Sequence, residues 1–199
     1  MADIIVAGNT SGAITISAPL VAGSGVLTLP TGTDTLIGKA TTDTLTNKSI
    51  AATQLTGTIA AAALPAGSVL QVVNANYSGI VSNATTTYAD TGLTASITPT
   101  SASSKILVLV NQSGVNGNVA ASGVNVRLLR GASSISVFAV AYSYTAAAVC
   151  SASCSYLDSP ATTSATTYKT QFARYIGSGN SQVQSNNDMS TITLMEIQG

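Results

Sequence analysis

The feature that most constrains this chain is its shortage of charged side chains. Of 199 residues, seven are lysine or arginine and seven are aspartate or glutamate, so that 7% are charged, against about 25% in an average soluble domain. Exposed helix faces are built mainly from Glu, Lys, Gln and Arg. Here Thr, Ser, Val and Ile are frequent instead, and β-branched residues favour strands. The sequence therefore predicts an all-β protein whose surface is wetted by hydroxyl and amide groups.

Individual strands are marked by apolar residues in two patterns. Apolar and polar residues alternate in GAITISAP and SGVLTLP, as in half-buried strands. Continuous apolar runs in KILVLV and TITLMEI are typical of strands that are buried on both faces. The one helix that the sequence predicts is short, around residues 54–63.

The aromatic residues divide the chain in two. All nine of them, seven Tyr and two Phe, lie at or after Tyr77. A segment without aromatics buries too little area to offset roughly 1–2 kcal/mol of backbone entropy per ordered residue. Its recurring aliphatic residues and low charge argue against simple disorder. Residues 1–66 are therefore predicted to form a stalk in which identical chains wind together and share a core.

Residues 67–199 carry the pattern of a compact β-domain. Turn signals such as Asn116-Gly117 and the GSGN stretch at 177–180 separate the apolar segments. The candidate strands are residues 68–75, 89–97, 105–112, 124–131, 135–144, 147–157, 167–176 and 191–198. Eight strands at this spacing predict a two-sheet β-sandwich of jelly-roll type, the head of the molecule.

Several stretches resemble fibre proteins of tailed bacteriophages. TTDTLTNKSI at residues 41–50 is similar to a sequence that recurs in such fibres. SGAITISAPLVAGSGVLTLPTGTDTLIG resembles their virion-proximal segment, and QLTGTIAAAALPAGSV resembles the junction between shaft and terminal domain. The closing STITLMEIQG is similar to the last strand of small fibre heads. The four stretches occur in the order that a fibre would require.

The resemblance implies a homotrimeric tail or baseplate fibre. Its elongated, intertwined β-rich stalk would attach to tail or baseplate proteins of the virion, and its head would bind a host surface glycan or outer-membrane protein. A purely structural accessory fibre, or a capsid or neck decoration protein without a receptor, is the alternative. The first residues carry an acid where a signal peptide would carry Lys or Arg, and no apolar run reaches membrane-helix length. We expect a virion protein made in the host cytoplasm without a signal peptide.

Attachment to the virion is assigned to apolar residues near the N-terminus. The strand IIVAG, if exposed, could add to a sheet edge of an anchoring protein, and a second apolar strand follows it. The candidate attachment residues are Ile4, Ile5, Val6, Ile14 and Ile16.

The chain lacks the residue types of common enzymes. It has no histidine, which removes the commonest general base and metal ligand, and it has no GxSxG motif. A glycan-cleaving fibre needs two carboxylates facing a cleft, and the head offers four: Asp90, Asp158, Asp188 and Glu196. Glu196 is expected to be structural, paired with a base or at a sheet edge. We predict no enzyme activity, no cofactor and no metal. The seven basic residues are scattered singly and form no patch that could neutralise several phosphates, which argues against nucleic acid.

Two further stretches have a functional and a structural interpretation. Cys150 and Cys154 are four apart, about 13 Å on a strand, too far to bridge, so we expect two buried free thiols. Residues 180–190 hold several oxygen-bearing side chains but not the spaced acids of a calcium site, so we expect a solvated loop.

Tyrosines are the candidate receptor contacts. A tyrosine combines a flat apolar face with a hydroxyl, which suits sugar rings and protein loops. Tyr144, Tyr168 and Tyr175 are the candidates, whereas Tyr142 is expected to belong to the core.

Overall fold

The computed structural model describes residues 4–7, 13–16, 49–51, 56–57, 59–144 and 149–199. The chain divides into a unit of residues 1–55 and a unit of residues 56–199. The described regular structure consists of antiparallel β-sheets with two short 3-10 turns. The prediction of an all-β protein is confirmed.

The described part of the first unit contains a two-stranded hairpin. Strand β1 (Ile4–Ala7) pairs antiparallel with β2 (Ala13–Ile16). The predicted strand in GAITISAP is thus confirmed. The predicted strand at 24–30 and most of the TTDTLTNKSI stretch lie outside the described residues.

The second unit forms two antiparallel sheets. Its strands are β3 (Val69–Tyr77), β4 (Val81–Asn83), β5 (Ala89–Ile97), β6 (Lys105–Gly117), β7 (Ser122–Arg130), β8 (Ser133–Ser143), β9 (Val149–Asp158), β10 (Thr166–Ile176), β11 (Ser181–Val183) and β12 (Ser190–Ile197). Sheet I has the order β3-β12-β6-β9, and the short strands β11 and β4 continue it beside the second half of β6. Sheet II has the order β5-β10-β7-β8.

Alternating side chains of both sheets build the cores. Along β5, odd-numbered residues from Thr91 to Ile97 are buried and even-numbered ones are exposed, as a period of two requires. The larger core joins residues of both sheets: Leu93, Ala95, Ile97, Ile106, Val108, Val110, Leu128, Tyr168, Ile192 and Leu194. A second core contains Val115, Val124, Val126, Phe172 and Val183. The two sheets therefore face each other across a shared interior.

A layer of hydrogen-bonded polar side chains lies between the two cores along β6 and β10. The Thr170 hydroxyl donates to Gln112 Oε1 at 2.9 Å, and Gln112 Nε2 donates to Ser190 Oγ at 2.9 Å. Thr91 and Thr170 hydroxyls are 2.6 Å apart. All of these side chains are buried. Because buried hydrogen bonds need specific partners, the layer fixes how the two sheets align with each other, although it replaces apolar contacts in the interior.

Two local predictions are corrected. The helix predicted around 54–63 is, in its described part, only a 3-10 turn at Ala61–Ala63, because Pro65 restricts Leu64 to an extended conformation. The turn predicted at Asn116-Gly117 lies at residues 118–121 instead, since β6 continues to Gly117 and pairs there with Ser181. All eight strands predicted in the head are present, whereas β4 and β11 were not predicted.

Candidate binding surface

Three tyrosines leave their rings exposed at one end of sheet II. Tyr142, near the end of β8, and Tyr144, just after it, contact edge to face with ring centroids 4.7 Å apart and an interplanar angle of 79°. Tyr144 is 84% exposed, and Tyr175 near the end of β10 is 53% exposed. Two of the three tyrosines predicted to contact a receptor, Tyr144 and Tyr175, are therefore accessible.

Gly123 of β7 lies between these side chains. It pairs in register with Tyr142 on β8 and with Ile176 on β10. A Cβ at position 123 would lie 3.2 Å from side-chain atoms of both Tyr175 and Ile176, so a larger residue would require these neighbours to shift. We call Tyr142, Tyr144, Tyr175 and Ile176 the aromatic patch. Neither Gly123 nor Ile176 was predicted, although a glycine inside a strand pattern is a signal of close approach.

The patch lies at the end of the head that is far from residue 68. From Gly123, β7 runs about 25 Å to Arg130, which binds Asp158 at the end of β9. That end of β9 pairs with the start of β6, and the start of β6 pairs with the end of β12. There Gln198 donates its backbone N–H to Ser68 at 2.8 Å. The aromatic patch and the point where the chain enters the head are at opposite ends of the sheets.

Tyr168 is not a surface residue, and its prediction as a receptor contact is wrong. It is 0% exposed and belongs to the larger core. Its hydroxyl donates to Asp158 Oδ2 at 2.6 Å, and Arg130 Nη1 lies 2.9 Å from the same carboxylate. Burial and the Asp158 carboxylate raise the pKa of Tyr168. The side chain is a structural link between sheet II and β9.

Two expectations of burial are also corrected. Tyr142 was expected in the core, but it is 41% exposed because its position on β8 faces outward with Gly123.

The two cysteines were expected to be buried. Cys150 is exposed and Cys154 half-buried, since both lie on β9 at the edge of sheet I. Both thiols are free, as predicted. Burial raises the pKa of each thiol, which keeps both in the less reactive protonated form near neutral pH.

Glu196 is buried and has neither of the predicted arrangements. It lies on β12 between two strands of sheet I and is 0% exposed. Its partners are neutral: Gln71 Nε2 donates at 2.6 Å, and the backbone N–H and hydroxyl of Thr100 each donate at 2.7 Å. Burial opposes ionisation, but these hydrogen bonds outweigh it and hold the pKa of Glu196 below its usual value. The carboxylate therefore ties the loop after β5 to sheet I.

Two surface clefts contain charged side chains. A shallow cleft of about 350 Å³ is lined by Arg130, Pro160 and Thr162, among others, and Arg130 is held there by Asp158. A smaller one of about 140 Å³ is lined by Asp90 and Lys169, which form an ion pair at 2.9 Å. Neither cleft is lined by two carboxylates, which is the arrangement that glycoside hydrolysis uses.

The stretch at 180–190 is more ordered than the solvated loop that was expected. It contains β11, whose Ser181 and Val183 are buried, and then a tight turn in which Gln184, Asn186 and Asn187 have positive φ. Within the described residues, no group of three or more His, Cys, Asp or Glu side chains is placed to hold a metal ion.

The predicted attachment residues lie in the hairpin of the first unit. The register pairs Ile4 with Ile16 and Val6 with Ile14, whereas Ile5 pairs with Thr15. Residues that pair across two strands share a face of the hairpin. Four of the five predicted positions therefore share one face, and Ile5 is on the other.

Among the described residues, no helix is long and apolar enough to cross a membrane. A scan against protein-family models found no match to the chain, and a search of curated proteins found no similar protein.

Proposed function

We propose that this protein is a structural fibre of a tailed-phage virion. It forms a homotrimer, its N-terminal region anchors it to the tail or baseplate, and its head binds the host cell surface. The fibre-like stretches at residues 11–50 and 54–69 support this assignment. So does the all-β architecture of the described chain, which suits a rigid, charge-poor particle component.

The head is a β-sandwich of jelly-roll type. Its support is the connectivity: two facing antiparallel sheets, in which β3, β12, β6 and β9 form one and β5, β10, β7 and β8 form the other. A chain that crosses repeatedly between two sheets with four long strands each is the arrangement of double-sheet jelly rolls, which viral and lectin domains share.

The aromatic patch is the observation that carries the receptor-binding assignment. It presents Tyr144 and Tyr175 at the end of the head opposite the chain's entrance, where a fibre meets its target. Tyrosine rings offer apolar faces for the C–H surfaces of sugars, and their hydroxyls offer hydrogen bonds. The ligand is therefore an uncharged host glycan or an outer-membrane protein loop. Three patches per trimer multiply a weak single contact by avidity.

Adsorption of purified full-length protein to cells of the host tests this assignment. We expect Tyr144→Ala and Tyr175→Ala each to weaken adsorption about tenfold or more, because loss of an exposed aromatic anchor costs about 1–2 kcal/mol per site and repeats in every copy. Val137→Ala is the matched control, since Val137 is 58% exposed on β8 outside the patch. Tyr168→Phe should also leave adsorption unchanged, because that ring is buried.

The salt dependence of adsorption distinguishes this mode of binding from an electrostatic one. The aromatic patch contains no charged residue, so adsorption should be nearly the same at low and high salt. If no patch variant changes adsorption of folded protein, the receptor-binding role is overturned and the accessory fibre remains. If adsorption collapses in salt, the contact lies on charged residues instead.

Attachment is proposed for the hairpin that contains Ile4, Val6, Ile14 and Ile16, with Ile5 on its second face. Deletion of residues 1–30 should leave a soluble head that no longer joins the virion. The measurement is the amount of the truncated protein on purified particles, with the full chain as control. Normal occupancy of the truncated protein would show that attachment lies elsewhere.

A further inference from the structure

A row of apolar side chains crosses the outer face of sheet I. The register pairs Met195 of β12 with Val72 of β3 and with Leu107 of β6, and Leu107 in turn with Leu157 of β9. Val72 is 56% exposed and Leu157 is 52% exposed, and the two central residues are half-buried. We call these four residues the apolar row. It spans the four long strands of the sheet, with nothing in the described residues covering its ends.

The outer face becomes polar, but not charged, in the next two rows. The first contains Asn74, Thr193, Leu109 and Ser155, and the second contains Asn76, Thr191, Asn111 and Ser153. None of the positions in the three rows is charged. Lys105 lies two residues before Leu107 at the start of β6, beyond the apolar row. Close to a threefold axis each side chain approaches its own copies, so a charged face turned toward that axis would repel itself. An uncharged face does not.

The position of the apolar row favours identical copies over another partner. The row lies three residues after β3 begins, and β3 follows directly on Ser68, which bonds to Gln198 at 2.8 Å. The chain thus enters the head beside the apolar row. If the preceding segments of three chains wind together, their heads start close to one axis, and the face next to that start is the face that the other two heads meet.

The area of the face is suitable for such a contact. Four strands at about 4.8 Å and nine residues at about 3.3 Å give a face of roughly 20 by 30 Å. That is about 600 Å² shared between two neighbouring heads, less than the roughly 800 Å² that each partner buries in a standard two-chain interface, so the face would supplement a trimer that the stalk already joins.

We propose that the outer face of sheet I, centred on the apolar row, is the surface through which the three heads pack against one another around the fibre axis. This inference rests on the proposed homotrimer and adds which surface forms it. The occupant of the face is thus a second copy of this chain on each side.

Tryptophan fluorescence can test the face, because the natural chain contains no Trp. The full chain is prepared with Val72→Trp, Leu157→Trp or Val137→Trp. The control position, Val137, is 58% exposed, as much as the two test positions, but lies on β8 of sheet II. We expect acrylamide quenching of the two sheet I variants to be about threefold or more weaker than that of Val137→Trp, because the core of an interface is desolvated. Sedimentation equilibrium gives the mass of each sample.

Quenching and sedimentation together test the proposed face and the proposed trimer separately. If the samples have trimer mass and all three variants are quenched strongly and equally, the proposal that this face forms the contact is overturned, whereas the proposed trimer stands. Trimer mass with only Val137→Trp shielded assigns the contact to sheet II and also overturns it. Monomer mass for the natural chain overturns the trimer and the face together. If Val72→Trp and Leu157→Trp dissociate the assembly while Val137→Trp does not, steric interference at the face supports the proposal.

Discussion

The outer faces of the two sheets each carry a row of side chains that crosses four strands, and the two rows have opposite chemistry. On sheet I, the apolar row runs from Val72 to Leu157. On sheet II, Gln171 pairs in register with Asp90 on one side and with Arg127 on the other, and Arg127 pairs with Val137. We call Asp90, Gln171, Arg127 and Val137 the polar row.

The polar side chains of the polar row form hydrogen bonds with one another. Gln171 Nε2 donates to Asp90 at 2.7 Å, and Arg127 Nη2 donates to Gln171 Oε1 at 2.6 Å. The Arg127 guanidinium also lies 3.7 Å from the ring centroid of Tyr88. A row of this kind is stable facing water, whereas exposed apolar side chains gain free energy only when something covers them. The difference favours the proposed contact of sheet I with other subunits, with the polar row of sheet II facing solvent.

A negative charge introduced into each row should therefore lower the free energy of unfolding by unequal amounts. This is the largest difference that we expect. Leu157→Asp and Val137→Asp both change an exposed aliphatic residue at the edge of a sheet. Leu157→Asp would put one carboxylate per subunit at the proposed contact and should cost about 2–3 kcal/mol per subunit. Val137→Asp should stay within about 0.5 kcal/mol, as surface substitutions usually do.

Thermal and denaturant unfolding of the full chain measures both changes. A matched loss in the two variants, or none in either, would contradict the contrast between the rows. A loss confined to Leu157→Asp should also become smaller as protein concentration rises, because the affected step is association.

Glu196 sharpens the comparison, because its carboxylate is buried in sheet I, next in sequence to Met195 of the apolar row. Since hydrogen bonds lower the pKa of Glu196 in the folded protein, its ionised form adds stability above the unfolded pKa. That contribution disappears as the pH falls through the folded pKa. Glu196→Gln should cost about 1–3 kcal/mol at pH 7, since an amide NH₂ then faces donors. The deficit should shrink below about pH 4.

Urea unfolding at pH 7 and at pH 3.5 tests this expectation. Asp90→Asn is the control: Asp90 also has a lowered pKa, through hydrogen bonds from Lys169 and Gln171 that outweigh burial, but its side chain is 54% exposed. It should therefore have the smaller effect. A Glu196→Gln protein as stable as the natural one at pH 7 would show that the buried carboxylate is dispensable.

Strand positions follow from the sequence to within a few residues, because period-two alternation is a local property. The segment predicted at 89–97 coincides with β5. Strands β4 and β11 have three residues each, too few to show a period. Their existence depends on pairing with β6 and with each other. The same pairing extends β6 through Asn116-Gly117, which by itself is a turn signal.

The candidate site was predictable in residue type but not in exposure. Tyr168 and Phe172 are four apart in β10 and flank Thr170, so alternation alone places all three on one face, with Lys169 on the other. That pattern would have assigned Tyr168 to the core. No local signal reveals that Tyr175 and Tyr142 lie near the same glycine of β7, because that placement needs the register of three strands.

The ion pair beside the polar row should give the smallest effect. Lys169 Nζ lies 2.9 Å from the Asp90 carboxylate, and the two side chains are 28% and 54% exposed. Pairs this exposed contribute about 0.2–1 kcal/mol and are screened by salt. Lys169→Ala should therefore lower the free energy of unfolding by less than about 1 kcal/mol at low salt, and 0.5 M NaCl should remove most of the difference. Lys105→Ala, which removes the lysine at the start of β6 in sheet I, is the matched control. A larger loss that persists in salt would mean that the polar row is itself covered in the assembly, and the assignment of solvent to sheet II would fail.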